Sequence, residues 1–240
     1  MGRHFLNAAV LWVVLTAAGE LLALRTPFYP TAAAEEARII DSSFTLLLVL
    51  GVPVFTFVLA VLIYSLLRFR SHPEASEEGP PVRGRPGVAL LWITVTASLA
   101  VYVIFNPGLK GLAELRANQN ADLVVRVEGA RWFWKATYPA YGITAREIVL
   151  PVHRRVRFEV TSVDVVHSFW IPAFRMKIDA VPGMVTRVLV TPTRKGTFKE
   201  DYHFRLQCAE LCDLGHSLMT APVTVLEQSE FDAWVGKAKP

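Results

Sequence analysis

Cysteine is the scarcest side chain here: two in 240 positions, Cys208 and Cys212. So few exclude a disulfide-rich scaffold. No cysteine lies near the amino terminus, which excludes a lipid-modified cysteine anchor there. The spacing C-x2-C-H is missing, so no c-type haem is attached. A dense basic stripe is missing too. The net charge is +4, and residues 108–240 hold 18 Lys and Arg against 14 Asp and Glu, which argues against nucleic acid as a partner. Charge is absent altogether from Phe44–Leu67, "FTLLLVLGVPVFTFVLAVLIYSLL", and from Gly87–Phe105, "GVALLWITVTASLAVYVIF". Each run is long enough to cross a hydrocarbon core of ~30 Å as a helix.

These absences set the organisation. Residues 35–107 read as a transmembrane helical hairpin in membrane lipid, with helices about 44–67 and 87–106. Gly51 and Pro53 interrupt the first helix, which lipid tolerates when a neighbouring helix satisfies the freed backbone groups. The intervening loop carries Arg68, Arg70, Arg83 and Arg85 and is therefore cytoplasmic, which places everything after Phe105 on the outer side. Residues 1–34 read as a signal peptide, cleaved or partly retained, or as an extra N-terminal helix. Arg3 and His4 precede the apolar stretch 5–24, Glu20 interrupts it, and "TAAAEE" at 31–36 offers an A-x-A site with Ala34 last before the cut.

From Asp122 the texture changes to short runs such as "DLVVRVEG", "REIVLP", "RRVRFEVTS", "TRVLVTP" and "APVTVLE", punctuated by Pro139, Pro151, Pro182, Gly183, Pro192 and Gly196. Period-2 alternation with regular turns indicates a β-sandwich or barrel. Residues 108–240 are thus an all-β outer domain on a membrane anchor, with 107–121 as connector. The tail "SEFDAWVGKAK" reads as a short amphipathic helix with Ser229 as N-cap.

The two cysteines fall in "QCAELCDLGHSLM", a C-x3-C-x3-H-x2-M array. A disulfide across three intervening residues constrains the unfolded chain little. Thiolate and thioether are soft ligands and imidazole suits copper. A mononuclear blue-copper site needs one Cys and two His, so this loop has one Cys too many and one His too few. Two thiolates can instead bridge two coppers, each completed by one His. His216 is one, and the second comes from His153, His167 or His203. His167, after a β-run and before Trp170 and Pro172, is the stiffest of these places.

"VDVVHSFWIPAFRMKIDAVPGMVTRV" and "QCAELCDLGHSLM" resemble the two copper-site segments of cytochrome c oxidase subunit II, and "GARWFWKATYP" resembles that family's aromatic signature. The resemblance spans roughly residues 40–226. It implies a cupredoxin-like outer domain holding the dinuclear copper A centre. Cys208 and Cys212 would bridge the two Cu ions, with one ion on His167 and one on His216. Met219 and the carbonyl of Glu210 would be the weak axial ligands. It implies that the Glu210 side chain reaches a Mg or Mn ion shared with subunit I, that Trp132 is where electrons enter from a c-type cytochrome, and that Asp164 is a docking carboxylate. By period 2, Trp132 and Trp134 share one face and Phe133 takes the other. Haem in subunit I, with other oxidase subunits, would reduce oxygen to water and translocate protons across the cell inner (plasma) membrane, the copper domain lying on the periplasmic side.

Three departures stand out. Asp213 occupies a position where the family often has Gly; Asp tolerates the left-handed region better than most residues. Ala89, three before Trp92, replaces a Glu that the family associates with proton uptake. The outer domain is net positive, which suits a donor that is not strongly basic. Two other functions use the same ligands: the copper A subunit of a haem–copper nitric oxide reductase, and a membrane-anchored copper carrier. A quinol-oxidase homologue is disfavoured, because every copper ligand is present.

Overall fold

The computed structural model describes residues 2–70 and 84–238. Of the loop arginines, Arg83 lies outside these. Helices α1 (Gly2–Arg25), α2 (Glu35–Arg68) and α3 (Pro86–Val103) come first. α2 begins well before the uncharged run at Phe44, because Glu35 and Glu36 occupy its first turn, where carboxylates suit the helix dipole. α3 continues as a wide π-type turn, Ile104–Leu109, into α4 (Lys110–Arg116). At Asn106 the backbone leaves helical geometry (φ −136°, ψ 109°), as expected of a residue that precedes a proline. Among the described residues, three helical segments are long and apolar enough to cross a membrane: Gly2–Arg25, Glu35–Arg68 and Pro86–Arg116.

Contacts divide the chain into two units, Met1–Phe28 with Ser42–Glu114, and Tyr29–Asp41 with Leu115–Pro240. The second is the β domain. In chain order its strands are β1 (Leu123–Ala130), β2 (Phe133–Tyr138), β3 (Ile143–Ala145), β4 (Ile148–Pro151), β5 (Val156–Ser162), β6 (His167–Ile171), β7 (Met176–Ala180), β8 (Thr186–Val190), β9 (Gly196–Thr197), β10 (Arg205–Cys208) and β11 (Thr220–Leu226), with α5 (Gln228–Ala238) at the end. One sheet runs β3-β2-β1-β5-β8 and the other β4-β11-β10-β6-β7, with β9 on the edge of β11. Pairing is antiparallel except β1 with β5 and β11 with β4. This is the expected membrane-anchored, cupredoxin-like sandwich.

The alternation read from sequence becomes the core. β5 buries every second residue, so Val156, Phe158 and Val160 point inward, and β1 does the same with Leu123, Val125 and Val127. Phe169, Ile171, Leu206, Val223 and Val225 meet them from the second sheet. α5 packs Phe231 and Val235 onto this core, with Trp234 against Tyr138. α5 starts at Gln228, so Ser229 is not its N-cap. The Glu230 carboxylate instead accepts the Glu227 N–H at 2.9 Å, a side chain turning back onto the orphan amide ahead of the helix.

Tyr138 joins the layers chemically as well as sterically. Its buried hydroxyl accepts from Val149 N–H (2.8 Å) and donates to Val149 C=O (3.0 Å). Tyr138→Phe should therefore leave both backbone groups unpaired in the core and cost about 1–3 kcal/mol. Thermal unfolding of the full-length variant followed by circular dichroism checks this, and an unchanged midpoint would refute it.

Candidate metal centre

The site is built at one end of the sandwich by the register of three strands. Cys208 ends β10 and pairs with Phe169 of β6, whose first residue is the fully buried His167. The chain leaves β10 with Ala209 N–H donating to Ser168 C=O (2.9 Å) and returns to β11 with Met219 C=O accepting from Cys208 N–H (3.0 Å). Residues 209–218 are thus a loop pinned at both ends. Asp213 gives it its turn with φ +84°, the left-handed conformation anticipated for this position, and its carboxylate accepts the Leu214 N–H (2.8 Å). A single helical turn, His216–Leu218, follows.

The donor atoms form a chain. His167 Nδ1 lies 3.8 Å from Cys208 Sγ, the two sulfurs lie 3.8 Å apart, and His216 Nδ1 lies 3.6 Å from Cys212 Sγ. At the Cys208 end the Glu210 carbonyl sits 3.1 Å from the sulfur, and at the Cys212 end Met219 Sδ sits 3.8 Å away. Both cysteines are free and buried, and a sulfur separation near twice a disulfide bond excludes the bridge. Met219 is fully buried and His216 partly so. His167, Cys208 and Cys212 form a group whose ligand atoms lie within 4.8 Å of one another. Two cysteine sulfurs, two imidazoles and a thioether in one largely buried cluster suit a copper pair by chemistry as well as by proximity.

Supporting contacts hold the ligands. Asp164 Oδ1 lies 2.9 Å from His167 Nε2 and accepts its N–H, which leaves the lone pair of Nδ1 facing the sulfur. Asp164 also accepts the backbone N–H groups of Arg131 (2.8 Å) and Val165 (2.7 Å). Desolvation pushes its pKa up, but these hydrogen bonds and the one to His167 outweigh that and hold it well below the usual carboxylate range. Burial, together with the neighbouring Cys208 thiol, pushes the Cys212 thiol up to about 11. The Asp164 contact to a ligand was not visible in the sequence, although its three-residue offset from His167 was the available signal.

The aromatic stretch departs from the period-2 reading. β2 begins at Phe133, so Trp132 lies in the turn before it and the alternation does not reach it. Trp132 is 40% exposed and Trp134 only 2%, so they share no face, and Phe133 is exposed as well. Trp132 donates Nε1–H to the Cys212 carbonyl (2.9 Å), and its ring lies on Gly215. Trp134 packs edge-on to His167, 6.0 Å between ring centroids, over Gly129, where an added Cβ would meet both rings at 3.0–3.1 Å. The Glu210 side chain is exposed. His153 and His203 lie apart from the cluster: His153 sits in a turn with φ +60°, and His203 Nδ1 contacts Asp201 at 2.9 Å.

Residues 142–227 match the family model described as "Cytochrome C oxidase subunit II, periplasmic domain". Cytochrome c oxidase subunit 2 of Thermostichus vulcanus is 27% identical, over 85% of this chain and 76% of the relative. That of Alkalihalophilus pseudofirmus is 32% identical over 74% of this chain and 52% of its own. Among solved structures, the periplasmic domain of cytochrome oxidase subunit II from Bradyrhizobium japonicum is 32% identical, covering 50% of this chain and 94% of its own, with a TM-score of 0.46.

Gly215 has an ordinary φ of −89°, so alanine there costs no backbone strain, yet its Cβ would fall 2.3 Å from the Trp132 ring. Gly215→Ala should push the ring off the loop and break its bond to the Cys212 carbonyl. A changed near-ultraviolet dichroism and a more quenchable tryptophan emission are expected, and wild-type spectra would refute the contact.

Proposed function

The chain belongs to the cytochrome c oxidase subunit II family, and from that membership we propose that it is the electron-accepting copper subunit of a haem–copper terminal oxidase. One observation carries this reading: the donor atoms alternate His167, Cys208, Cys212, His216 at 3.8, 3.8 and 3.6 Å, one imidazole for each thiol. Two copper ions held by Cys208, Cys212, His167 and His216 would supply a one-electron redox centre. Met219 and the Glu210 carbonyl, at opposite ends of this row, would be the further, weaker donors. Glu210 holds its exposed side chain outward as the Mg or Mn ligand shared with subunit I.

The protein's own part is to hold this ligand set unchanged between redox states. The loop is tied to β6, β10 and β11 by backbone hydrogen bonds, Asp164 fixes the His167 tautomer, and core side chains keep water away. Ligands on such a frame move little when an electron arrives. Trp132 spans the short distance from the surface to the Cys212 carbonyl, so an electron from a c-type cytochrome can cross there. Haem in subunit I would take it onward, for reduction of oxygen to water coupled to proton translocation. The apolar helices α2 and α3 anchor the chain in lipid of the inner (plasma) membrane, and the β domain faces the periplasm.

The donor docks by apolar contact rather than by charge. Leu211, Leu214 and Leu218 of the ligand loop are 79, 93 and 79% exposed, and Val163 is 61% exposed. The one cation there is shared between two carboxylates: Arg131 pairs with Asp164 (3.3 Å) and Asp213 (3.6 Å), which offsets part of their charge. Exposed leucines grouped on one loop mark an interaction surface.

Two measurements test this. Full-length protein loaded with copper in detergent should bind two ions, turn purple and give an EPR pattern from one electron shared by both, while Cys212→Ser should lose that pattern. A single blue copper, or a colourless protein with a Cys208–Cys212 disulfide, would overturn the dinuclear reading. For docking, electron-transfer rates from a basic and an acidic cytochrome are compared at roughly 0.01 and 0.15 M salt, where the screening length falls from ~30 to ~8 Å. Both should change by less than about threefold, against the steep salt dependence of steered association; a steep fall with the basic donor alone would sink the apolar-docking idea.

A further inference from the structure

We propose that residues 2–34 stay in the mature protein: α1 is a resident third membrane span, and the Ala-x-Ala segment is a paired edge of the β domain rather than a processing site. Two separate sets of contacts, one within each unit of the chain, carry this inference.

The first set joins α1 to α2. A signal sequence needs an apolar stretch, not a face shaped to another helix. α1 has such a face. Trp12, Thr16 and Gly19 follow helical spacing and meet the part of α2 disturbed by Pro53. Trp12 donates Nε1–H to the Pro53 carbonyl (2.8 Å), and Thr16 Oγ1 bonds Thr56 Oγ1 (2.7 Å), which itself donates to the Val52 carbonyl (2.9 Å). In hydrocarbon no water can serve these groups, so a polar contact from a neighbouring helix has no substitute. Gly19 permits the close approach, since a Cβ there would lie 2.8 Å from Val52 Cγ1. The match extends down the helix to His4, whose Nδ1 lies 2.8 Å from the Tyr64 hydroxyl.

The second set holds residues 29–41 in the β domain. Ala33 and Ala34 are 0 and 1% exposed. Ala33 N–H donates to Ala173 C=O (2.9 Å), Ala33 C=O accepts from Thr193 N–H (2.9 Å), and Glu35 N–H donates to Thr191 C=O (3.0 Å). Ala34 pairs antiparallel with Pro192. The Glu36 carboxylate accepts the Thr191 N–H (2.8 Å), and Asp41 takes both Nε and Nη2 of Arg175 (2.7 and 2.9 Å). The alanines are small because the sandwich closes on them. A cut after Ala34 would fall inside this pairing and strip Ala173 C=O and Thr193 N–H of their partners.

The test is the intact mass of the full chain, carrying a C-terminal tag, made in a bacterial host and purified from its membranes. A mass that includes residues 2–34 is expected, and a mature chain beginning anywhere after Arg25 overturns the proposal. A second measurement separates residence from slow processing. Gly19→Leu in the full chain should lower the thermal midpoint by about 2–4 °C, the shift for ~1 kcal/mol in a chain of this size. A wild-type midpoint would mean that α1 does not pack on α2 and would overturn the proposal equally.

Discussion

The pairing of β6 with β10 is the constraint from which the site follows. Cys208 stands opposite Phe169, and Ala209 N–H closes the ladder on Ser168. That register brings His167 beside Cys208 although 41 residues separate them. A slip by one residue would turn every side chain of β10 to the other face, taking the thiol out of the pocket and Leu206 out of the core. Phe169, Ile171 and Leu206 hold the register because all three are fully buried. The core therefore does more than stabilise the domain. Its hydrophobic pattern sets the distance between the first two donors, and the pinned loop sets the rest.

Burial first, and then the Cys208 thiol 3.8 Å away, raise the pKa of Cys212. Asp164 adds a negative charge at the next position out. A dication answers every one of these features, since it favours thiolate over thiol and offsets the carboxylate behind the imidazole. Arg131 completes the arrangement from outside by pairing with Asp164 and Asp213. The carboxylate expected at a docking surface thus also acts inward, orienting a ligand, while its charge toward solvent is largely cancelled.

Legibility in the sequence tracked distance along the chain. The C-x3-C-x3-H-x2-M array was readable because its donors lie on one loop, and β1, β5 and β11 were readable because period 2 reports burial directly. His167 could be chosen from three histidines by the stiffness of its surroundings. What escaped depends on where the chain turns. Trp132 was assigned a strand face although its residue precedes β2, and Ser229 was assigned a cap that Glu230 provides from inside the helix. The role of 29–41 escaped for a different reason. Small residues before an acidic pair look alike whether a protease or a folded sandwich requires them to be small, and only the partners, Ala173, Thr191 and Thr193, tell the two apart.

Exposure follows a different rule in each unit. On α2 and α3, exposed Phe55, Leu67 and Leu91 face what would be lipid, and their exposure needs no further partner. On the β domain the same exposure at Leu211, Leu214 and Leu218 has no lipid to explain it, and it occurs on the loop that carries the donors. The loop needs its inner side chains, Cys212 and Met219, to reach the pocket, and its outer ones are then free to be polar. They are leucines instead. Leucine there adds nothing to the packing, and grouped exposed apolar side chains mark a surface that a partner can cover. An apolar surface that lies next to the buried donors is suited to docking a partner.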